Sequence, residues 1–134
     1  MPIARLIGDA TAPQGDGIKI IVHVCNDIGA WGRGFVLALS KRWPEVERRY
    51  RVWHRGEGPS QFGLGEVQFV QVNSDTWVAN LVGQKDIKTR QGIPPIRYDA
   101  LRKGLRRIAE EAKRMTASIH MPRIGCGLAG GNWD

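Results

Sequence analysis

The chain has 134 residues, 42% of them hydrophobic, and we expect a single domain that buries roughly two-thirds of its unfolded surface. It contains no apolar run of the roughly 20 residues that span a bilayer and no signal-peptide pattern, so we expect a soluble, cytoplasmic protein without membrane partners. Cys25 and Cys126 form no C-x-x-C pair, so the sequence predicts no disulfide scaffold, no metal site and no cofactor. The formal net charge of +7 favours anionic partners.

The first strands of the chain lead into polar residues. Residues 1–7 predict a short strand, and one proline and two glycines at 11–17 indicate a loop. The β-branched run at 18–25 predicts a second strand, which delivers Asn26 and Asp27 at its end.

The middle of the chain predicts a helix and a β-hairpin. Apolar residues recur at helical spacing over 35–50, and Pro44 must either kink this helix or divide it into two. Residues 66–72 and 76–82 alternate as two strands of a hairpin, and a polar loop over 83–95 follows them.

The last elements complete an α/β pattern. Residues 98–115 predict an amphipathic helix, and 118–124 predict a strand. Strands alternating with helices favour an α/β sandwich with helices on both faces of the sheet. Ligands of such sheets bind at the carboxyl ends of the strands, where this chain gathers two glycine-rich loops and Asp9, Asn26, Asp27 and Gln84.

The glycine-rich loops occupy residues 29–34 (Gly-Ala-Trp-Gly-Arg-Gly) and 125–131 (Gly-Cys-Gly-Leu-Ala-Gly-Gly), each directly after a strand. Glycines at the end of a strand expose backbone N–H groups that can hold phosphate oxygens, although they are also common in plain turns. The first loop lacks the G-x-G-x-x-G order of dinucleotide-binding units, and neither loop ends in G-K-[ST] as a P-loop does. Two such loops favour a site that grips a diphosphate.

The basic residues allow a different function. They gather at 48–51, at 102–107 and at Lys113 and Arg114, opposite apolar stripes. A solvated helix face explains that spacing, and a nucleic-acid-binding surface is the less favoured alternative.

Several segments in register along nearly the whole chain resemble a macro domain. They are residues 8–11 (Gly-Asp-Ala-Thr), 23–26 (His-Val-Cys-Asn) leading into 29–35, 80–84 (Asn-Leu-Val-Gly-Gln), 97–101 (Arg-Tyr-Asp-Ala-Leu) and 121–128 (Met-Pro-Arg-Ile-Gly-Cys-Gly-Leu). The chain looks closest to the small macro domains that include ADP-ribose 1″-phosphate phosphatases and the terminal ADP-ribose glycohydrolase. The resemblance implies one three-layer α/β/α domain over 1–134 with a central mixed sheet. The helix and strand that end such domains are not in the sequence, so we expect either a C-terminally truncated piece or an abbreviated domain.

The resemblance also implies the residues that bind ADP-ribose. Asp9 matches the carboxylate that accepts a hydrogen bond from the adenine amino group, with the backbone of Ala10 beside it, and Asn26 matches a contact to the distal ribose. The two phosphate-binding segments correspond to Trp31, Gly32, Arg33, Gly34 and Phe35, and to Gly125, Cys126, Gly127, Leu128, Ala129 and Gly130.

Two departures bear on catalysis. Gln84 and Ala129 stand where the glycohydrolase branch has a lysine and an aspartate, so its covalent lysine mechanism is not expected. The candidates that would orient a water molecule are Asn26, Asp27 and Gln84. His23 is a less favoured candidate, because it lies in an apolar strand where a core role is more common.

Three classes of function follow. The first is a hydrolase that acts on ADP-ribose 1″-phosphate or on ADP-ribosylated substrates, and the second is a reader that binds ADP-ribose without turnover. The third is the nucleic-acid-binding domain. The expected partner is ADP-ribose or an ADP-ribosylated macromolecule, bound by a monomer.

Overall fold

A computed structural model of the chain describes residues 3–4, 17–31, 35–87 and 96–122. The strands in these ranges are β1 (Ile3–Ala4), β2 (Lys19–Asn26), β3 (Val67–Gln71), β4 (Thr76–Gln84) and β5 (Ser118–His120). The helices are α1 (Phe35–Arg42), α2 (Pro44–His54) and α3 (Tyr98–Met115).

The described strands form one mixed sheet in the order β1-β5-β2-β4-β3. The pairs β1–β5, β5–β2 and β2–β4 are parallel, and the hairpin pair β3–β4 is antiparallel. The long central pair β2–β4 is therefore flanked by strands on both sides, and its two carboxyl ends lie at the same edge of the sheet.

Each face of the sheet packs against helices. One core cluster joins Ile20 and Val22 of β2, Leu81 of β4 and Ile119 of β5 to the apolar stripe of α3. The second cluster joins the alternate residues of β2 and β4 to α1 and α2. This alternation confirms the predicted three-layer sandwich, because successive side chains of a strand point to opposite faces.

Pro44 divides the first helical segment into two helices, as one of the two expectations had it. Proline lacks an N–H group and forces the preceding residue towards extended backbone, and Trp43 has φ −138° and ψ 85°. Pro44 itself starts α2, a position where the missing donor costs nothing.

The strand boundaries differ from expectation most at the ends of β4 and β5, whereas each end of β2 and β3 differs by one residue. Residues 83 and 84, predicted as the start of a loop, extend β4, because Asn26 pairs with Gln84 and the neighbouring strand continues the ladder. The last strand ends at His120, so residues 121 and 122, predicted to continue it, are not part of the strand; residues 123 and 124 lie outside the described residues.

Candidate functional site

The predicted catalytic residues meet at the carboxyl edge of β2 and β4. The two strands stay in register from Lys19–Thr76 to Cys25–Val82, and an irregularity then brings Asn26 opposite Gln84. The backbone N–H of Asp27 donates to the carbonyl of Gln84 at 3.0 Å. The sheet therefore places Asn26, Asp27 and Gln84 side by side.

Asn26 organises the loop that leaves β2. Its Oδ1 accepts from the backbone N–H groups of Ile28 at 3.1 Å and Ala30 at 3.0 Å, and its Nδ2 donates to the carbonyl of Ala30 at 2.8 Å. The Tyr50 hydroxyl donates to the Asn26 carbonyl at 2.7 Å. With only 8% of the residue exposed, Asn26 acts here as a clamp on the loop.

Asp27 links this loop to the one after β4. Its Oδ1 accepts from the backbone N–H of Asp86 at 2.7 Å. Asp86 has φ +64°, a left-handed conformation that Asp tolerates, and its own Oδ1 accepts from the N–H of Ile87 at 2.6 Å. One carboxylate oxygen of Asp27 is thus committed to the protein, while Oδ2 accepts no hydrogen bond from the described residues.

Gln84 is half-buried at the end of β4, where an isolated bridge joins it to Ile96. Lys85, one residue later, is exposed. The match of Gln84 to the catalytic lysine of the glycohydrolase branch stays a prediction.

Trp31, in the first glycine-rich loop, is only 7% exposed. Its ring meets His23 edge-on at 5.1 Å between centroids and Tyr50 at 5.3 Å, and its Nε1–H donates to the Ser40 hydroxyl at 2.6 Å. Phe35 is half-buried at the start of α1. Trp31 thus supports the loop from the core, and ligand contact by Trp31 or Phe35 stays a prediction.

His23 belongs to a chain of hydrogen-bonded side chains in the core. Its Nε2 is hydrogen-bonded to Asn80 Oδ1, Asn80 Nδ2 donates to Gln68 Oε1 at 2.9 Å, and Gln68 donates to the carbonyl of Arg49 at 3.0 Å. Burial lowers the pKa of His23 to about 4, against a smaller opposing effect of the Asn80 hydrogen bond. The imidazole is neutral at pH 7 and is 2% exposed, which supports the core interpretation of His23.

The other predicted ligand contacts lie outside the described residues. They are Asp9, Ala10, Gly32, Arg33, Gly34, Gly125, Cys126, Gly127, Leu128, Ala129 and Gly130.

Sequence reasoning missed the residues of α1 and α2 that fasten the first loop. Ser40, Glu47 and Arg51 form hydrogen bonds that reach Trp31 and the carbonyl of Gly29. The only signal in the sequence was the i,i+4 spacing of Glu47 and Arg51, which usually indicates an ordinary surface pair.

These features define an α/β protein with a polar edge at the ends of two central parallel strands. Comparison with solved structures of similar sequence identifies its family. A macrodomain protein from Streptomyces coelicolor is 55% identical with a TM-score of 0.82, over 94% of this chain and 80% of that one. A Bacteroides thetaiotaomicron protein of unknown function is 54% identical with a TM-score of 0.93, over 99% of this chain and 84% of that one. The chain belongs to the macrodomain family. No protein-family model matches it.

Curated relatives are more distant or much longer. An ADP-ribose 1″-phosphate phosphatase from Chaetomium globosum is 28% identical over 86% of this chain and 70% of that protein. The chromodomain-helicase-DNA-binding protein 1-like of Danio rerio is 35% identical over 98% of this chain, and the chain spans 13% of that protein's length. Among the helices that the structure describes, none combines the length and hydropathy that crossing a membrane requires.

Proposed function

We propose that this chain binds ADP-ribose at the carboxyl edge of β2 and β4 and hydrolyses an ADP-ribose derivative at the distal ribose. The substrates proposed are ADP-ribose 1″-phosphate or an ADP-ribosyl ester. The observation that carries the proposal is the register of β2 and β4, which gathers Asn26, Asp27 and Gln84 at the edge where such sheets bind ligands. Membership of the macrodomain family and a relative named as an ADP-ribose 1″-phosphate phosphatase support it.

In this proposal, different residues bind the adenine, the diphosphate and the distal ribose of the ligand. Asp9 and the backbone of Ala10 recognise adenine, because a carboxylate only accepts and the exocyclic amine donates. The glycine-rich segments at 32–34 and 125–130 donate backbone N–H groups to the diphosphate. The distal ribose then reaches Asn26, whose clamp on residues 28–30 sets the start of the first loop.

The chemistry requires an oriented water molecule and donors for the developing charge. Asp27 Oδ2 is the carboxylate oxygen left over after the Asp86 hydrogen bond, and it can accept a proton from the attacking water. Asn26 Nδ2 carries a second hydrogen beside the one that it donates to Ala30. Either reaction consumes one water and returns ADP-ribose, with phosphate or a carboxylic acid as the other product.

One observation favours a reader without turnover. The Oδ1 atom and one Nδ2 hydrogen of Asn26, and one oxygen of Asp27, are already engaged in holding the loops together. A protein that only binds ADP-ribose needs this scaffold and no proton acceptor.

Calorimetric titration with ADP-ribose tests the binding half of the proposal. We expect one site with micromolar affinity, which corresponds to roughly −8 kcal/mol. AMP and ribose 5-phosphate are titrated in parallel, because each contains only part of the ligand. A folded sample that gives neither heat nor a thermal shift with ADP-ribose would contradict the proposal.

Turnover is tested separately on ADP-ribose 1″-phosphate, by phosphate release, and on an ADP-ribosylated protein, by loss of the label. Release from either substrate supports the hydrolase. Tight ADP-ribose binding with no release from both substrates supports the reader.

A further inference from the structure

The carboxylate of Glu47 in α2 joins both ends of the short segment 29–31 to the helices behind it. Its Oε1 accepts from the Ser40 hydroxyl at 2.9 Å, and Ser40 Oγ in turn accepts from Trp31 Nε1 at 2.6 Å. Its Oε2 accepts from Arg51 Nε at 2.9 Å, and Arg51 Nη1 donates to the carbonyl of Gly29 at 3.2 Å. Glu47 is therefore the centre of a brace with one arm to Trp31 and one to Gly29.

Few side chains other than a carboxylate can serve both arms. A carboxylate offers two acceptor oxygens, and each arm ends on a donor: the Ser40 hydroxyl and the Arg51 guanidinium. The Glu47 side chain is 33% exposed and that of Arg51 is 43% exposed. An ion pair this accessible adds little stability, so the contacts of the brace matter more for where they hold the loop than for how strongly they hold the fold.

The braced segment leads directly into the glycines at 32–34. Inside the loop, Asn26 bonds the N–H and the carbonyl of Ala30, whereas the brace fixes Gly29 and Trp31 on either side of Ala30. Backbone donors bind phosphate oxygens more tightly when the chain that presents them is held in place before the ligand arrives, because less ordering is then needed on binding. The brace supplies such support at Gly29 and Trp31.

We propose that Glu47 is a positioning residue for the ADP-ribose site: through Ser40–Trp31 and Arg51–Gly29 it sets the conformation of the segment that presents the first phosphate-binding loop. Glu47 itself touches no ligand. The proposal rests on the proposed function for the identity of the ligand, while the brace itself is a property of the free protein.

The test compares Glu47→Ala and Glu47→Gln with Glu45→Ala and Glu45→Gln. Glu45 lies in the same first turn of α2 and forms no ion pair with any described residue, so it matches the charge change and the helix-end effect. We expect Glu47→Ala to weaken ADP-ribose binding about tenfold, a ratio that corresponds to about 1.4 kcal/mol. Glu47→Gln should fall between Glu47→Ala and wild type, because an amide can keep part of each arm. The Glu45 variants should bind like wild type.

A second readout does not depend on the ligand. The Trp31 indole N–H, assigned by its loss in Trp31→Phe, should shift in the proton–nitrogen NMR spectrum of Glu47→Ala and exchange faster with solvent. The indole signals of Trp43, Trp53 and Trp77 should stay in place. Ser40→Ala should move the same signal, and combining it with Glu47→Ala should add little further loss of affinity.

The outcomes separate the two proposals. An unchanged Trp31 signal or unchanged affinity in Glu47→Ala would overturn the brace. Equal losses of affinity in Glu45→Ala and Glu47→Ala would mean that the loss comes from removing a negative charge in the first turn of α2, and this would overturn the positioning role of Glu47. If wild-type protein bound no ADP-ribose, the proposed function would fall and the ligand part of this proposal with it, whatever the Trp31 signal showed.

Discussion

Gly29 meets two demands that a side chain at this position would violate. Its φ of +78° lies in the left-handed region, and a Cβ built on it would lie 2.6 Å from His54 Nδ1. Gly56 has nearly the same φ, +76°, but its Cβ would meet nothing within 4 Å. Substitutions at both positions strain the backbone, but only a substitution at Gly29 also causes a steric clash, so comparing the two separates these effects.

We expect Gly56→Ala to lower the free energy of unfolding by about 1 kcal/mol, the cost of left-handed backbone for an L-residue. Gly29→Ala should lower it by about 2–4 kcal/mol, because overpacking adds to that cost. Urea unfolding of both variants measures the difference. In a His54→Ala background the extra loss at Gly29 should disappear, and equal losses in the wild-type background would mean that His54 simply swings away.

His23 should make stability depend on pH. Its pKa is lowered from 6.5 to about 4 in the folded protein, so between these values the unfolded chain binds more protons than the folded one. The stabilisation is complete above pH 6.5 and is lost as the pH falls towards 4. The expected loss over this window is on the order of 3 kcal/mol.

Urea unfolding at several pH values, on wild type and His23→Gln, isolates this contribution. Burial also lowers the pKa of His120, which acts in the same direction in both proteins and cancels in the comparison. The difference in stability between wild type and variant should shrink as the pH falls from 6.5 to 4. A constant difference would mean that His23 titrates normally in the folded state.

If the protein is a hydrolase, substitutions of Asp27 and of Asn26 should affect turnover and ADP-ribose affinity differently. Asp27→Asn keeps an oxygen for the Asp86 N–H but removes the proton acceptor, so turnover should fall by about 10- to 1000-fold with ADP-ribose affinity nearly kept. Asn26→Ala removes the clamp on Ala30, so affinity should fall as well as rate. Separate measurements of Kd and single-turnover rate distinguish the two.

The same chemistry predicts no covalent adduct. Gln84 cannot form an imine with the ribose, and Lys85 lies exposed after the end of the strand. Intact mass after borohydride trapping should show unmodified protein. An adduct on Lys85 would restore the lysine mechanism one residue out of register.

At the level of whole elements, the spacing of apolar residues predicted the features that depend only on neighbouring residues in the sequence. The bounds of α3 at residues 98 and 115, the hairpin and the break at Pro44 all follow from apolar spacing and proline geometry. The end of β4 was misjudged because Gln84 is held in the strand by its pairing with Asn26, a partner far away in sequence. The structural roles of Asn26 and Glu47 were missed for the same reason, since each acts through residues that only the fold brings together.

Helix α3 approaches the sheet through a glycine. A Cβ on Gly104 would lie 2.7–2.8 Å from the two methyl carbons of Leu81, whose side chain is fully buried in β4. Gly104→Ala therefore sets a gain in helix propensity of about 1 kcal/mol against an overpacking cost of about 1–3 kcal/mol. Because Leu81 has no room to move, we expect net destabilisation.

The companion substitution Leu81→Ala tests that cause. In the Leu81→Ala background, Gly104→Ala should cost less or become stabilising, because removing the γ and δ carbons of Leu81, the atoms nearest to the added Cβ, leaves room for the new methyl group. Thermal unfolding of the four proteins in this cycle gives the coupling. Additive effects would mean that the helix shifts away from the sheet instead of clashing with Leu81.

At the scale of the whole molecule, fewer positive side chains are available to bind an anionic partner than the net charge suggests. The chain carries 20 Lys and Arg against 13 Asp and Glu. On α3, however, four of the six basic residues pair with carboxylates: Arg102 with Asp99, Lys103 with Glu66, and both Arg107 and Arg114 with Glu111. These contacts occupy cations that phosphate-backbone binding would need.

A dependence on salt should therefore distinguish ADP-ribose from nucleic acid as the partner. Binding of duplex DNA weakens with salt by a slope of about −0.9 per phosphate neutralised, whereas a diphosphate held by backbone N–H groups loses much less. We expect the Kd for ADP-ribose to rise by less than about threefold between 50 and 300 mM NaCl, and any DNA binding to vanish over that range. Calorimetry for ADP-ribose and fluorescence anisotropy for a labelled duplex give the two curves. Tight DNA binding at 300 mM NaCl that ADP-ribose does not displace would place a nucleic-acid surface outside the β2–β4 edge, and the basic helices would then carry a function of their own.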